Sequence, residues 1–218
     1  MKKLLWVEIQ KLRRSKIVWI AVFATVMAAV MIFFGGQDLF DASQSDIYQA
    51  GWYMSVAQPL ATIFVLPAVI ALLGSYMICR EEEEDTIKSL RIIPVKEADL
   101  TAAKMIVTFI FSVFLYILLF VMTFGVELIL HASDLSLHVV LHFFTAYVID
   151  GTGVFLAISP VIAMMSYRKR DFWIALIVTE IYSFTGLFMS LSGTLKKSIR
   201  LRRFLAFRDI MRLHAQTG

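Results

Sequence analysis

Five long apolar runs constrain the fold of this chain more than any other feature of its sequence. They cover residues 17–34, 56–79, 105–126, 139–167 and 172–192. Each run is long enough to cross about 30 Å of hydrocarbon as a helix that rises about 1.5 Å per residue. The chain is 59% hydrophobic, which is more than the surface of a water-soluble domain can accommodate. The sequence therefore predicts an all-α polytopic membrane protein with five apparent transmembrane helices.

Lysine and arginine are distributed unevenly among the segments that separate the runs. Residues 1–16 hold six, the loop 80–104 holds five and residues 168–170 hold three, whereas residues 35–55 and 127–138 hold none. Because basic residues accumulate on the cytoplasmic side of a membrane, the N-terminus and the loop are predicted to be cytoplasmic. A multi-pass protein of the cytoplasmic membrane follows from this distribution. The lipid bilayer is the expected partner of these residues, and nucleic acid is not.

The segment 1–16 has a pattern of its own. Leu5, Ile9 and Leu12 fall on one helical face, and Trp6 suits the level of the lipid headgroups. This pattern predicts an amphipathic helix on the inner membrane surface before the first span. A basic flank that only fixes the orientation of the first span is the alternative.

The cytoplasmic loop 80–104 begins with five consecutive acidic residues, 81–85. Acidic residues stabilise the start of a helix through its positive end. Glu84 and Lys88 have the spacing of a favourable ion pair on a helix surface. The sequence therefore predicts a short helix in this loop, and a merely solvated acidic segment is the alternative.

Two aliphatic residues make this short helix a candidate docking element. Ile87 and Leu90 would project from one side of it, and Pro94 would end it because the residue before a proline avoids the α conformation. In a binding surface, apolar contact contributes affinity and surrounding charges contribute orientation. We therefore predict that residues 81–93 bind a cytoplasmic partner.

Two segments resemble the permeases of ABC-2 type transporters. One is Lys-Leu-Arg-Arg-Ser-Lys before the first span, and the other is the loop from Glu-Glu-Asp-Thr-Ile-Lys-Ser-Leu to Thr-Ala-Ala-Lys. The resemblance covers about residues 1–192. The matching loop positions are Glu84, Thr86, Ile87, Leu90, Pro94 and Lys104. Asp85 stands where the family typically has glycine.

The resemblance implies a role for the loop and a set of partners. It implies that the loop carries a coupling helix that rests on a separate ATP-binding cassette subunit, through Glu84, Asp85, Thr86, Ile87, Leu90 and Pro94. It also implies a second permease subunit, identical or different, and places ATP and Mg²⁺ in the ATPase subunit. The size and the N-terminal segment are similar to bacterial subunits that export antimicrobial peptides or confer immunity to them. Peptide antibiotics, drugs and lipid-like molecules are the implied cargo.

The sequence shows no motif for catalysis or for cofactor binding. It contains no Gly-x-x-x-x-Gly-Lys-Ser/Thr segment, so nucleotide hydrolysis is expected in a partner and not in this chain. His131, His138 and His142 lie near the predicted outer boundary, where histidine is a comfortable amphipathic residue. No metal site and no cofactor are therefore expected, and the chain is not expected to be an enzyme.

Three acidic residues fall within or beside the apolar runs: Glu127, Asp150 and Glu180. Charged groups are costly in hydrocarbon and normally face a bundle interior or a polar cavity. Asp150 is followed by Gly151 and Gly153, where helices can approach closely. The pattern favours an interhelical contact for Asp150, and a polar translocation route is the alternative.

The basic tail 193–218 conflicts with five spans. It holds seven basic residues, yet five crossings from a cytoplasmic N-terminus would leave it outside, against the charge rule. The family typically has a sixth span here. Two explanations remain open: the fifth run does not cross the membrane, or a slipped reading frame has replaced a sixth span with an aberrant tail.

Two other functions fit parts of the sequence. The first is a stand-alone channel or ion-coupled carrier that uses Glu127, Asp150 and Glu180. The second is an immunity protein that binds a toxin without transporting it. Against the first, the short helix predicted at 81–93 would have no role, and no inverted repeat is evident.

Overall fold

The computed structural model describes residues 2–39, 51–83, 97–130, 136–168 and 172–191, and every element in these ranges is helical. The α-helices, numbered in chain order, are α1 (Lys2–Arg13), α2 (Lys16–Leu39), α3 (Trp52–Leu60), α4 (Leu66–Glu83), α5 (Glu97–Leu130), α6 (Leu137–Arg168) and α7 (Phe172–Leu191). The prediction of an all-α fold is confirmed.

Four stretches are long and apolar enough to span a membrane: Lys16–Gly35, Trp52–Arg80, Ala98–Leu130 and Leu137–Met164. A shorter apolar helix, Trp173–Phe188, lies within α7. These lengths confirm a polytopic membrane protein, with four full-length spans and one shorter apolar helix. The tail 193–218 lies outside the described residues.

The second span contains an irregular turn. It consists of α3, a π-helical segment Ala61–Val65 and α4. Pro59, inside α3, has no amide hydrogen to donate to the helical ladder. The widened π-helical turn begins two residues later, and such turns are frequent at functional positions.

The chain divides into two compact units, Met1–Glu180 and Ile181–Gly218. All contacts described below belong to the first unit. In it, the second span runs antiparallel to α5, because Tyr53 meets Glu127 near one end and Met77 meets Lys104 near the other. We call the end that holds Met77 and Lys104 the loop end, since residues 84–96 connect the two spans there.

The spans pack through two close approaches at glycine. An added Cβ at Gly151 would lie 3.1–3.2 Å from atoms of Tyr116, and one at Gly74 would lie 2.6 Å from Ile162. Around Gly153 there is no atom within 4 Å of such a Cβ. The close approach expected at Gly151 is therefore observed, and none is observed at Gly153 among the described residues of this chain.

The N-terminal helix α1 packs differently from the sequence pattern. Leu12 is buried and Leu5 is half-buried, but Ile9 is 46% exposed. Glu8, one turn before Leu12, is buried instead. The helix is present as predicted, but the face that contacts the bundle includes an acidic residue where the apolar pattern had suggested Ile9.

Candidate functional site

Polar side chains of the N-terminal segment and of the four long spans form three groups along the bundle. One lies at the loop end, one lies at the opposite end around Glu127, and the third lies between them around Asp150. Each group joins at least two helices.

Glu127 binds the N-terminus of α3. Its side chain is fully buried, and its Oε1 accepts a hydrogen bond of 2.6 Å from the backbone N–H of Tyr53. The residue before α3 is Gly51, with φ of 92° and no side chain to cap the helix. A carboxylate is stabilising at a helix N-terminus because of the partial positive charge there. Glu127 on α5 therefore supplies the cap that the α3 segment lacks.

Two tyrosines attach the same turn of α3 to further helices. The Tyr53 hydroxyl donates to the carbonyl oxygen of Ala29 on α2 at 2.6 Å. The Tyr147 hydroxyl, on α6, donates to the carbonyl oxygen of Met54 at 2.9 Å. The start of the second span is thus bonded to α2, α5 and α6. Unpaired polar groups are expensive away from water, so these bonds favour one fixed position of α3.

Asp150 lies near the middle of the span Leu137–Met164 and is half-buried. Its Oδ2 accepts a hydrogen bond of 2.8 Å from the side-chain amide of Gln58. This contact joins α6 to α3 immediately before Pro59. An interhelical contact at Asp150 was the interpretation that the sequence favoured, and the geometry agrees with it.

Two more hydrogen bonds surround this contact. The Tyr116 hydroxyl donates to Oγ1 of Thr62, in the π-helical segment, at 3.1 Å. The Ser112 hydroxyl donates to the carbonyl oxygen of Gly151 at 2.8 Å. The widened turn of the second span is therefore bonded to α5, which in turn is bonded to α6.

The loop end has a junction of three helices. Lys104 Nζ, on α5, donates to the carbonyl oxygen of Met77 on α4 at 2.7 Å. The same atom lies 3.8 Å from Oε2 of Glu8 on α1. The Ser15 hydroxyl, just after α1, donates to the hydroxyl of Tyr76 at 3.1 Å. We call these five residues the loop-end junction.

The remaining predicted residues are not brought together. The docking residues Glu84, Asp85, Thr86, Ile87, Leu90 and Pro94 lie outside the described residues, so their role stays a prediction. Glu180 is half-buried on α7. The three intramembrane acids lie on separate helices, and Glu127 and Asp150 each have their own partner. His138 and His142 are exposed, and the described ranges hold no group of three potential metal ligands.

Sequence reasoning missed most of the partners in these groups. Gln58, Ser112 and three tyrosines were not singled out, because a hydroxyl or amide in an apolar run gives no sign of which helix it will meet. Glu8 did carry a signal. It is the single acidic residue in 1–16, and it lies between Leu5 and Leu12 on an apolar face.

Comparison with known proteins agrees with this architecture. A family model described as ABC-2 family transporter protein matches residues 4–186. No curated protein and no solved structure matches the chain. The matched range includes α1 from Leu4, all four long spans and most of α7, and it ends before the basic tail. By this match the chain belongs to the ABC-2 family of transporter proteins, and it is the membrane-spanning permease of an ABC transporter.

Proposed function

We propose that this permease works with a separate ATP-binding subunit that grips its cytoplasmic loop 80–104, and that the transporter exports a peptide antibiotic, a drug or a lipid-like molecule. In this proposal the loop end faces the cytoplasm of a bacterial cell. Two permease subunits, identical or different, pair in the cytoplasmic membrane. ATP and Mg²⁺ are held by the partner.

The observation that carries the proposal is the bond between Lys104 and Met77. This hydrogen bond, with 2.7 Å between Lys104 Nζ and the carbonyl oxygen of Met77, joins the two helices that flank the loop. A movement applied to the loop would therefore reach α4 and α5 as a pair. By the resemblance, Lys104 stands at the position of the family's lysine near the start of the third span.

The polar groups in the spans argue against a stand-alone ion carrier. The Glu127 carboxylate is fully buried and bound to the start of α3, and the Asp150 carboxylate is bound to Gln58. Acidic groups that carry ions through a membrane face a water-filled cavity or an ion pathway. These two acids are instead used to hold helices to each other.

Co-purification of the ATPase tests the proposal. The tagged permease, expressed with the ATP-binding cassette proteins of its own cell, should retain one of them after detergent extraction. Ile87→Asp should abolish the association, because it places a charge in the apolar part of the predicted contact. Leu137→Asp is the matched control, since it makes the same change at an exposed position at the opposite end of the bundle.

The outcomes separate clearly. Loss of the ATPase from the Ile87→Asp variant alone supports the docking assignment. Retention of the ATPase in that variant contradicts the assignment of Ile87. Absence of any ATPase from the wild-type preparation contradicts the proposed partnership as a whole.

A further inference from the structure

The loop-end junction contains a buried ion pair between α1 and α5. Glu8 is 2% exposed and Lys104 is 4% exposed. The two carboxylate oxygens of Glu8 face two lysines: Oε1 lies 3.4 Å from Lys11 Nζ and Oε2 lies 3.8 Å from Lys104 Nζ. Burying a charge is strongly unfavourable unless an opposite charge and hydrogen bonds accompany it. The pair between Glu8 and Lys104 therefore favours the present position of α1 against α5.

The same helix also reaches the second span. Ser15, two residues after the end of α1, donates a hydrogen bond to Tyr76, and Tyr76 is adjacent to Met77. Thus α1 contacts α5 through Glu8, and Ser15, in the turn after α1, contacts α4. Met77 and Lys104 each lie about two helical turns from the nearer limit of the segment 84–96. The N-terminal segment 2–15 is consequently bonded to both helices that carry the ends of the loop, through Glu8 to α5 and through Ser15 to α4.

From this geometry we propose that α1 is a positioning element for the partner-binding loop, and that Glu8 and Lys104 are its positioning residues. Without the pair, α1 no longer restrains the Lys104 side chain at the Met77 carbonyl oxygen, so the last turns of α4 and the first turns of α5 are held together less firmly. The loop between them would then have to be ordered by the partner, at a cost in affinity. Thus α1 has a function beyond resting on the membrane surface. The part of this proposal that concerns the partner rests on the proposed function above.

Hydrogen–deuterium exchange of the purified full-length permease in lipid nanodiscs tests the positioning without any partner. Glu8→Gln removes the carboxylate that faces Lys104, and Lys104→Met removes the ammonium group that faces Glu8 and Met77. Each should raise amide exchange about tenfold in residues 78–83 and 97–103, with little change in α6. The double variant should exchange more slowly than the sum of the single effects predicts, because either single variant already removes the ion pair. Lys104→Arg, which keeps the charge and the donor, should lie closer to wild type than Lys104→Met.

Lys11→Gln is the matched control for this experiment. It removes the partly exposed lysine that faces Glu8 and leaves the buried pair intact. Exchange in the two segments should stay near the wild-type rate. Unchanged exchange in Glu8→Gln would overturn the proposal. An equal rise in every span would overturn it too, because it would show only a general loss of stability.

The ATPase partner provides a second and separate readout. Its affinity for the permease should fall in Glu8→Gln although Ile87 and Leu90 are intact. An unchanged affinity in a variant with raised local exchange would overturn the role of α1 in partner binding. If the wild-type permease binds no ATPase, the proposed function fails, and the exchange experiment still decides whether α1 positions the two helix ends.

Discussion

Glu127 stabilises the start of α3 from a position 74 residues further along the chain. The four N–H groups at a helix start have no partners within the helix. In a soluble protein water would satisfy them, but this helix starts in a buried part of the bundle, where Trp52, Tyr53 and Met54 are all covered. A side chain of the facing helix is therefore the available acceptor for the Tyr53 N–H.

Substitution of Glu127 tests this cap. We expect Glu127→Leu to lower the free energy of unfolding by about 1–3 kcal/mol, because it leaves the Tyr53 N–H buried and without this acceptor. Glu127→Gln keeps a side-chain carbonyl oxygen as an acceptor, so its free energy of unfolding should fall less. Thermal unfolding in detergent measures both, with Ile129→Ala, at an 84% exposed position, as a control near wild type. A Glu127→Leu variant as stable as wild type would contradict the assignment.

The two glycines after Asp150 offer a matched pair of substitutions. Gly151→Ala would bring a methyl group within 3.1–3.2 Å of the Cβ, Cγ and Cδ2 atoms of Tyr116, whose fully buried side chain is also bonded to Thr62. We expect Gly151→Ala to lower the free energy of unfolding by about 1–3 kcal/mol, because the added methyl group overpacks the contact and displaces Tyr116. Gly153→Ala meets no such atom and should be neutral or slightly stabilising, because alanine favours a helix. Equal melting temperatures for the two variants would contradict this prediction and show that Tyr116 can move away from Gly151 at little cost in stability.

At the scale of helices, the sequence predicted the spans well and their contacts poorly. Apolar length is a property of each run alone, so the runs beginning at 17 and 105 correspond to α2 and α5 without any knowledge of neighbours. The bond from Gln58 to Asp150 depends on which helices adjoin and at what rotation, and a single sequence does not encode that visibly. The docking residues at 84–94 stay a prediction.

The contact between the second span and α6 gives a prediction at this scale. If Asp150 holds the helices together, the losses of unfolding free energy in Gln58→Ala and Asp150→Ala should not add up in the double variant. We expect this double-mutant cycle to give a coupling energy of about 1 kcal/mol, as is typical of polar contacts between membrane helices. A cycle of Gln58→Ala with Ser159→Ala is the control, because the Ser159 hydroxyl is bonded to its own helix at Leu156. A coupling energy of zero between Gln58 and Asp150 would contradict the structural role of Asp150 and favour the alternative, a polar translocation route.

At the scale of the whole molecule, the sequence raises the question of which side of the membrane holds the tail 193–218. With the loop end in the cytoplasm, as we propose, four long spans return the chain to the cytoplasm before α7. The apolar part of α7 is shorter than the four spans, and Glu180 lies near its centre. A charged residue at the centre of a helix opposes insertion, and the seven basic residues that follow favour the cytoplasm. Both features favour an α7 that does not carry the tail across.

Reporter fusions can decide this. Alkaline phosphatase is active only when exported, and green fluorescent protein fluoresces only when it folds inside the cell. Fusions after Gln44 should give phosphatase activity, and fusions after Arg170 should give fluorescence; these two calibrate the assay against the distribution of lysine and arginine. We expect the fusion after Gly218 to fluoresce, as the one after Arg170 does. Phosphatase activity at Gly218 would mean that α7 crosses the bilayer despite Glu180, and that seven basic residues lie on the side from which the other fourteen are absent.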